Sequence, residues 1–363
     1  MSNIFGLLGI PDFEGDRRFV NQIGQTIVYD AIIEEINRIN DELNAALRVF
    51  VAETTEDHTR RYKLPGSGYM QERARLTSPG ATKQTGYWDI ALPLLDYGDQ
   101  LASDDISMAY MSIRDLNLHL DTIQIRALNT TRRAILMALL NNTIWNFVDE
   151  LNGTLAVQPL ANGDSTLYPP TMGSETEAAE NHYVVSGYAA ASISDTNDPF
   201  PVIVNELAEH FGQSSQGDNI VVFFGNAHTA KIEGLTDFEP VNDRFIQPGA
   251  NVNQVIGLPE NLPGVVKGRH AAGAWAVEWR RLPANYLMAV HLDAPLPLLE
   301  RVDRAETGLP RGLSLVSSDN SEFPLQSSFY RMRRGFGVGN RLNGVVMQLK
   351  SEGSFEVPTE FGR

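Results

Sequence analysis

The whole stretch from Ser107 to Leu151 contains neither glycine nor proline, in a chain that carries 30 glycines and 19 prolines over 363 residues. Nothing in it breaks a helix, and Leu136, Leu140, Ile144, Phe147 and Leu151 recur at steps of three and four. That spacing lines one face of a 3.6-residue period and predicts one long helix, or two joined ones, stopping near Gly153. A continuous helix of this length reaches roughly 60 Å at 1.5 Å per residue. A compact domain needs less, so the stretch predicts a backbone for an extended, flat molecule.

A second amphipathic helix is predicted from Tyr29 to Phe50, where Ile32, Ile36, Ile39, Leu43, Ala46 and Phe50 face one way and Glu34, Glu35, Asp41 and Glu42 the other. The pattern lasts about three heptads, which suits cover for a local core better than a coiled coil. After it the character changes. The segment HTRRYKLPGSGYMQERARLTSPGATKQTGYW is rich in Gly, Thr and Arg, and a strand over Tyr69 to Thr77 would be polar on both faces. Such a ribbon is marginal alone, and is expected to be either a disordered loop or an arm lying on another subunit.

Beyond the long helix, Thr154 to Pro201 predicts short strands and loops, and Val202 to Gly212 a helix. NIVVFFGNAHTAKIEGL predicts a buried strand followed by a helix with Asn226 as N-cap, and AWAVEW, YLMAVHL and GVVMQL predict further strands. The expected class is α+β, without internal repeats.

The formal net charge is −16, which repels a DNA duplex unless Lys and Arg gather on one face. Arg60, Arg61, Lys63, Arg73, Arg75 and Lys83 do gather, in the polar ribbon, and Arg331, Arg333, Arg334 and Arg341 in FYRMRRGFGVGNRLNGVVMQLK. A basic arm on an acidic chain has another copy of that chain as its natural partner. The residues expected at subunit contacts are therefore Arg60, Arg61, Arg73, Arg75, Lys83, Arg331, Arg333 and Arg334. The absence of cysteine removes disulfides, thiolate metal sites and cysteine nucleophiles. The opening MSNIFGLLGIPDFEGDRR has no basic region ahead of its apolar patch, and no run is long enough to span a bilayer; a soluble chain without a secretory signal is expected.

The chemical motifs fail in turn. Gly335, Gly337 and Gly339 match two glycines of a dinucleotide fingerprint, but Asn340 stands where the last is needed and an apolar strand pattern follows. These glycines predict a turn or bulge, and Asn343-Gly344 a further turn. No phosphate-binding lysine loop, His-Glu-x-x-His or G-x-S-x-G occurs. Glu206, Glu209 and His210 share part of a helical face, which a solvated surface accounts for. His228 follows a buried strand, where catalytic residues often sit, but a capped helix start is the simpler account. Trp275, Trp279 and Tyr286 would suit a sugar platform or a core. No catalytic residue, cofactor or metal is expected.

The order of elements, with an amphipathic N-terminal segment, a basic ribbon, a long helix, a mixed sheet, a strand-helix unit and a return to β structure, resembles the major capsid proteins of tailed bacteriophages, the fold named after bacteriophage Hong Kong 97. DYGDQLASDDI, HYVVSGYAAASISDTNDPF, WRRLPANYLMAVHLDAPLPLLERVD and RRGFGVGNRLNGVVMQL are locally similar to that family. The resemblance implies an N-terminal arm (1–50), an extended loop (51–97), a peripheral domain with the spine helix (98–201), an axial domain (202–299) and a return to the peripheral domain (300–363).

The same resemblance implies a structural protein, not an enzyme, that assembles into hexamers and pentamers of an icosahedral phage head around double-stranded DNA. The extended loop would lie over a neighbouring subunit. Implied partners are a separate scaffolding protein, a portal protein and a decoration or cement protein, with only weak non-specific contact to packaged DNA and none to membrane. The implied location is the virion, after assembly in the bacterial host cytoplasm. Lys63 and Lys83 lie in the loop that carries isopeptide links in some family members, but no crosslink is expected here. The alternatives are an encapsulin-like nanocompartment shell and a soluble hydrolytic or carbohydrate-active enzyme.

Overall fold

The computed structural model describes residues 19–23, 25–47, 49–63, 70, 72, 87–100, 110–172, 174, 176–211, 219–240, 262–316 and 329–363. Along the chain come α1 (Val20–Ile23), α2 (Gln25–Leu47), β1 (Val51–Thr55), β2 (Thr59–Lys63), β3 (Tyr87–Ala91), β4 (Leu95–Gln100) and α3 (Ile113–Leu140). Then follow β5 (Trp145–Asp149), β6 (Gly153–Val157), β7 (Tyr183–Val185), α4 (Pro199–Phe211), β8 (Ile220–Phe224), α5 (Thr229–Ile232) and β9 (Phe238–Pro240). Seven strands close the chain: β10 (Val265–His270), β11 (Ala274–Glu278), β12 (Tyr286–His291), β13 (Leu298–Arg301), β14 (Gly312–Val316), β15 (Phe329–Val338) and β16 (Val345–Gln348). The class is α+β, and two compact units divide it, one from Met1–Leu47, Pro93–Ile135 and Arg301–Phe336, the other from Arg48–Leu92, Leu136–Glu300 and Gly337–Arg363.

In the first unit β15 pairs antiparallel with β4 on one side and β14 on the other. Tyr330 and Met332 of β15 and Leu313 of β14 join Ile32, Ile36 and Ile39 of α2 and Leu116, Ile123 and Ala127 of α3 in one core. The isoleucine stripe of α2 thus serves the local core, as its short pattern predicts. Asn40 fastens α2 to the sheet: its Oδ1 accepts the Leu313 N–H at 2.8 Å and its Nδ2 donates to the Leu313 carbonyl at 2.9 Å.

The second unit is built on a seven-stranded sheet, β7-β16-β12-β8-β11-β10-β9. β8 is parallel to β11 and antiparallel to β12, so the sheet is mixed. All five residues of β8 and of β11 are buried, because both faces are covered, and this is why these strands read as unbroken apolar runs. Val222, Phe224, Ala276, Leu287 and Met347 share a core with Phe200, Ile203, Val204 and Leu207 of α4. Phe223, on the alternate face, packs on Phe50 and Trp279 with ring centroids 5.3 and 5.8 Å away.

The long helix is shorter than its sequence predicts. Ser112 and Asp115 start α3 as a capping box, the Asp115 N–H donating to Ser112 Oγ at 3.2 Å and the Ser112 N–H to Asp115 Oδ2 at 3.3 Å. It ends at Leu140, about 42 Å on. There the Tyr183 hydroxyl donates to the Asn141 carbonyl at 2.7 Å, meeting one of the helix-end acceptors. The rest of the glycine-free stretch is the first strand of the β5–β6 hairpin. Trp145 and Phe147 alternate onto a small cluster with Leu155 and Val157, and Asp149 Oδ1 takes the N–H groups of Leu151 and Asn152 in the turn. Gly153 is therefore a hairpin residue, at φ 73°, rather than a helix stop.

Two other expectations change. Gly335 and Gly337 lie inside β15 rather than in a turn. A Cβ on Gly335 would stand 1.9 Å from the Pro93 carbonyl oxygen, and one on Gly337 2.6 Å from Leu92 Cδ2; these strand glycines let other chain segments come close. Asn226 is the first residue of a short 3-10 turn, while the residue preceding α5 is His228, without a side-chain cap. The strand over Tyr69 to Thr77 lies outside the described residues except Met70 and Glu72, and the ribbon that is described pairs β2 with β3.

Candidate subunit-contact residues

Arg73, Arg75 and Lys83 lie outside the described residues. The other five expected contact residues all have partners within the chain. On β2, Arg60 pairs with Glu53, and its Nη2 donates to Thr55 Oγ1 at 3.3 Å. Arg61 reaches across the ribbon to Asp89 through two hydrogen bonds of 2.6 and 2.7 Å and lies 4.2 Å over the Tyr87 ring. Its guanidinium holds the exposed Asp89 carboxyl below the usual range. Arg61 itself keeps 58% of its side chain exposed.

The three arginines of β15 grade from surface to interior. Arg331 grips Asp96 of β4 with bonds of 3.0 and 2.5 Å. Arg333 lies 3.3 Å from the buried Asp303. Arg334 is buried, with Nη1 3.5 Å from Thr131 Oγ1 and its guanidinium 5.8 Å from the Phe336 ring. Alternation along the strand does not place them on one exposed edge.

Arg341 goes furthest inward. Only 2% of it is exposed, and it donates to the Pro159 carbonyl at 2.8 Å, Asn162 Oδ1 at 3.1 Å, Asp164 Oδ2 at 2.8 Å and Thr166 Oγ1 at 3.2 Å. Its acidic partner is Asp164 of its own chain. Burial pushes the Asp164 carboxyl up, but hydrogen bonds and charge from Arg341, with help from Thr166, hold it below the usual range.

The residues considered for catalysis are likewise used for structure. His228 is buried, and its Nε2 accepts the Asn285 N–H at 3.3 Å. Burial and then the Lys231 charge push its pKa down. Trp275, Trp279 and Tyr286 are buried and offer no platform to a sugar; Trp279 stacks on Phe50 at 5.6 Å.

Glu206, Glu209 and His210 depart from a solvated helix face. The His210 side chain is 3% exposed, and Glu180, Glu209 and His210 bring their ligand atoms within 4.8 Å of one another. Burial, then Glu209 and Glu180, push the Glu206 carboxyl up to about 7. Sequence periodicity places Glu206 and His210 one turn apart, but nothing in it announces Glu180.

Surface apolar residues are the feature that charge counting overlooks. Leu118 and Ile125, seven residues apart on α3, are about half exposed, away from the Leu116–Ile123 stripe. On the β5–β6 hairpin Val148 and Leu151 are 73% and 75% exposed, and Ile144 just before it 49%. The signal was present as a helix whose apolar residues cover more than one face.

No family model and no curated protein matches this chain. Among solved structures, a chain of Mycobacterium phage Patience superposes with a TM-score of 0.67 at 20% identity, over 93% of this chain and 91% of that one. The fold is Hong Kong 97-like. Weaker likenesses are to the mature capsid of bacteriophage PhiM1, with a TM-score of 0.49 at 11% identity over 85% and 87% of the two chains, and to the capsid of cyanophage P-SCSP1u, with 0.47 at 11% over 84% and 87%. Among the described residues no helix is long and apolar enough to cross a membrane.

Proposed function

We propose that this chain is the major capsid protein of a tailed phage, a shell subunit that assembles with copies of itself into hexamers and pentamers of an icosahedral head. The observation that carries the reading is the fold shared with a phage chain over nearly its whole length. The exposed apolar residues of α3 and of the β5–β6 hairpin support it, since such residues gain stability when a neighbour covers them. The work of such a protein is free energy released over many repeated contacts. A net charge of −16 suits a shell around DNA, because a negative lumen keeps the polyanion from sticking to the wall.

In this reading the basic ribbon, with Arg61, Arg73, Arg75 and Lys83, lies on an acidic surface of a neighbouring copy. A separate scaffolding protein guides closure, a portal occupies one vertex, and the finished subunit belongs to the virion after assembly in the host cytoplasm. The test is negative-stain microscopy of the expressed chain, alone and with the scaffolding partner from its own genome. Shells or capsomers are expected; persistent compact monomers under both conditions overturn the reading. Reversing Arg73 and Arg75 to Glu should block assembly and leave monomer unfolding unchanged, and equal loss of both would assign those residues to the subunit's own fold.

A further inference from the structure

The last turn of α4 brings together charges that do not belong there. Glu209 and His210 end a 13-residue helix, and Glu206 lies one turn back. The carbonyl end of a helix carries partial negative charge, which disfavours carboxylates and favours cations. Against this turn comes Glu180, from the segment that precedes β7, so that carboxylate meets carboxylate at a helix C-terminus.

A second observation points to a ligand. His210 Nε2 is buried and has no hydrogen-bond partner among the described residues, although its side chain is only 3% exposed. It faces Glu209 Oε1 at 3.6 Å, too long for a hydrogen bond. Two donors on a tetrahedral zinc, each about 2.0–2.1 Å from it, stand about 3.3 Å apart. The Glu209–His210 pair is therefore close to ligand spacing, and Glu180, with its ligand atom within 4.8 Å of the others, needs to move in by at most about 1.5 Å.

The comparable cluster of Asp198, Asp237 and His270 differs in how closely its histidine meets a carboxylate. There His270 Nε2 lies 3.0 Å from Asp198 Oδ2, and its Nδ1 accepts the Ala272 N–H at 3.1 Å. Nδ1 is therefore taken, and although Nε2 makes no formed hydrogen bond either, it has a carboxylate oxygen closer than the 3.6 Å at which Glu209 stands from His210.

We propose that Glu180, Glu209 and His210 form a binding site for one divalent cation of the zinc type. One imidazole nitrogen and two carboxylates suit zinc better than calcium or magnesium, which take oxygen ligands. Three protein donors leave a fourth position for water or for Glu206. The bound ion neutralises the carboxylates, complements the helix end, and ties the C-terminus of α4 to the segment entering β7.

The test uses the full chain without a histidine tag, stripped with chelator and then titrated with zinc chloride alone. One zinc per chain should survive desalting and raise the thermal midpoint. Glu180→Gln and Glu209→Gln should each weaken zinc binding at least tenfold, while the zinc-free variants melt no lower than the zinc-free parent, because each loses a like charge. Failure of the parent to retain zinc overturns the proposal. So does undiminished binding in both variants, which would place the ion elsewhere. The outcome is independent of whether the chain forms shells.

Discussion

Arg341 and Asp164 meet at 2.8 Å across 177 residues of chain, the guanidinium fully buried and the carboxylate partly so. Two carbonyls and two side-chain oxygens complete the cation's partners. Removing one member of such a set strands the others. Arg341→Ala should cost about 3–5 kcal/mol of unfolding free energy, read by urea denaturation of the unassembled chain. Arg341→Lys should recover only part of it, since one ammonium cannot reproduce the planar fork. Equal stability of parent and Ala variant would mean that water replaces the guanidinium without penalty.

Acid should destabilise the chain in two separate windows. Burial, then the neighbouring His210 ring, pushes His182 down to about 4, while its Nδ1 stays bonded to the Gly344 carbonyl at 2.9 Å. A histidine held below its unfolded value of about 6.5 contributes stability above that pH and loses it as pH falls toward the folded value, here about 3 kcal/mol in all. His228 adds in the same direction. Asp164, a depressed carboxyl, keeps its contribution down to about pH 4 and loses it below. Thermal midpoints between pH 7.5 and 4 should fall less steeply for His182→Asn than for the parent.

The two glycines of β15 should respond unequally. In Gly335→Ala the new methyl meets the Pro93 carbonyl, which is backbone and cannot turn aside; in Gly337→Ala it meets first the end of the Leu92 side chain. Gly335→Ala should cost about 3 kcal/mol or more and Gly337→Ala about 1–2, as midpoints of denaturation would report. A reversed order would contradict the close approach of Pro93.

Val148→Lys and Leu151→Lys, at the most exposed apolar positions of the hairpin, should leave the thermal midpoint of the unassembled chain within scan error. If the shell reading holds, the pair should reduce the yield of assembled particles by at least tenfold. Normal assembly would remove the hairpin from the contact surface.

The central strands of the second unit were legible because strands covered on both faces leave long apolar runs, as in IVVFF and AWAVE, and the stripe of α2 because one face is dry. The end of α3 was not legible. Ile144, Phe147 and Leu151 continue a helical step by coincidence, and only the pairing of Trp145 and Phe147 with Leu155 and Val157 makes that stretch a strand. The arginines show the same division more sharply. The sequence alone determined that they cluster and that the chain is otherwise acidic. It could not say that Arg331 meets Asp96, Arg334 lies by Thr131 and Arg341 meets Asp164. A charge is a local property of a residue, but its partner, and so whether it faces inward or toward another molecule, is set by which distant segments the packed fold brings within 3 to 4 Å.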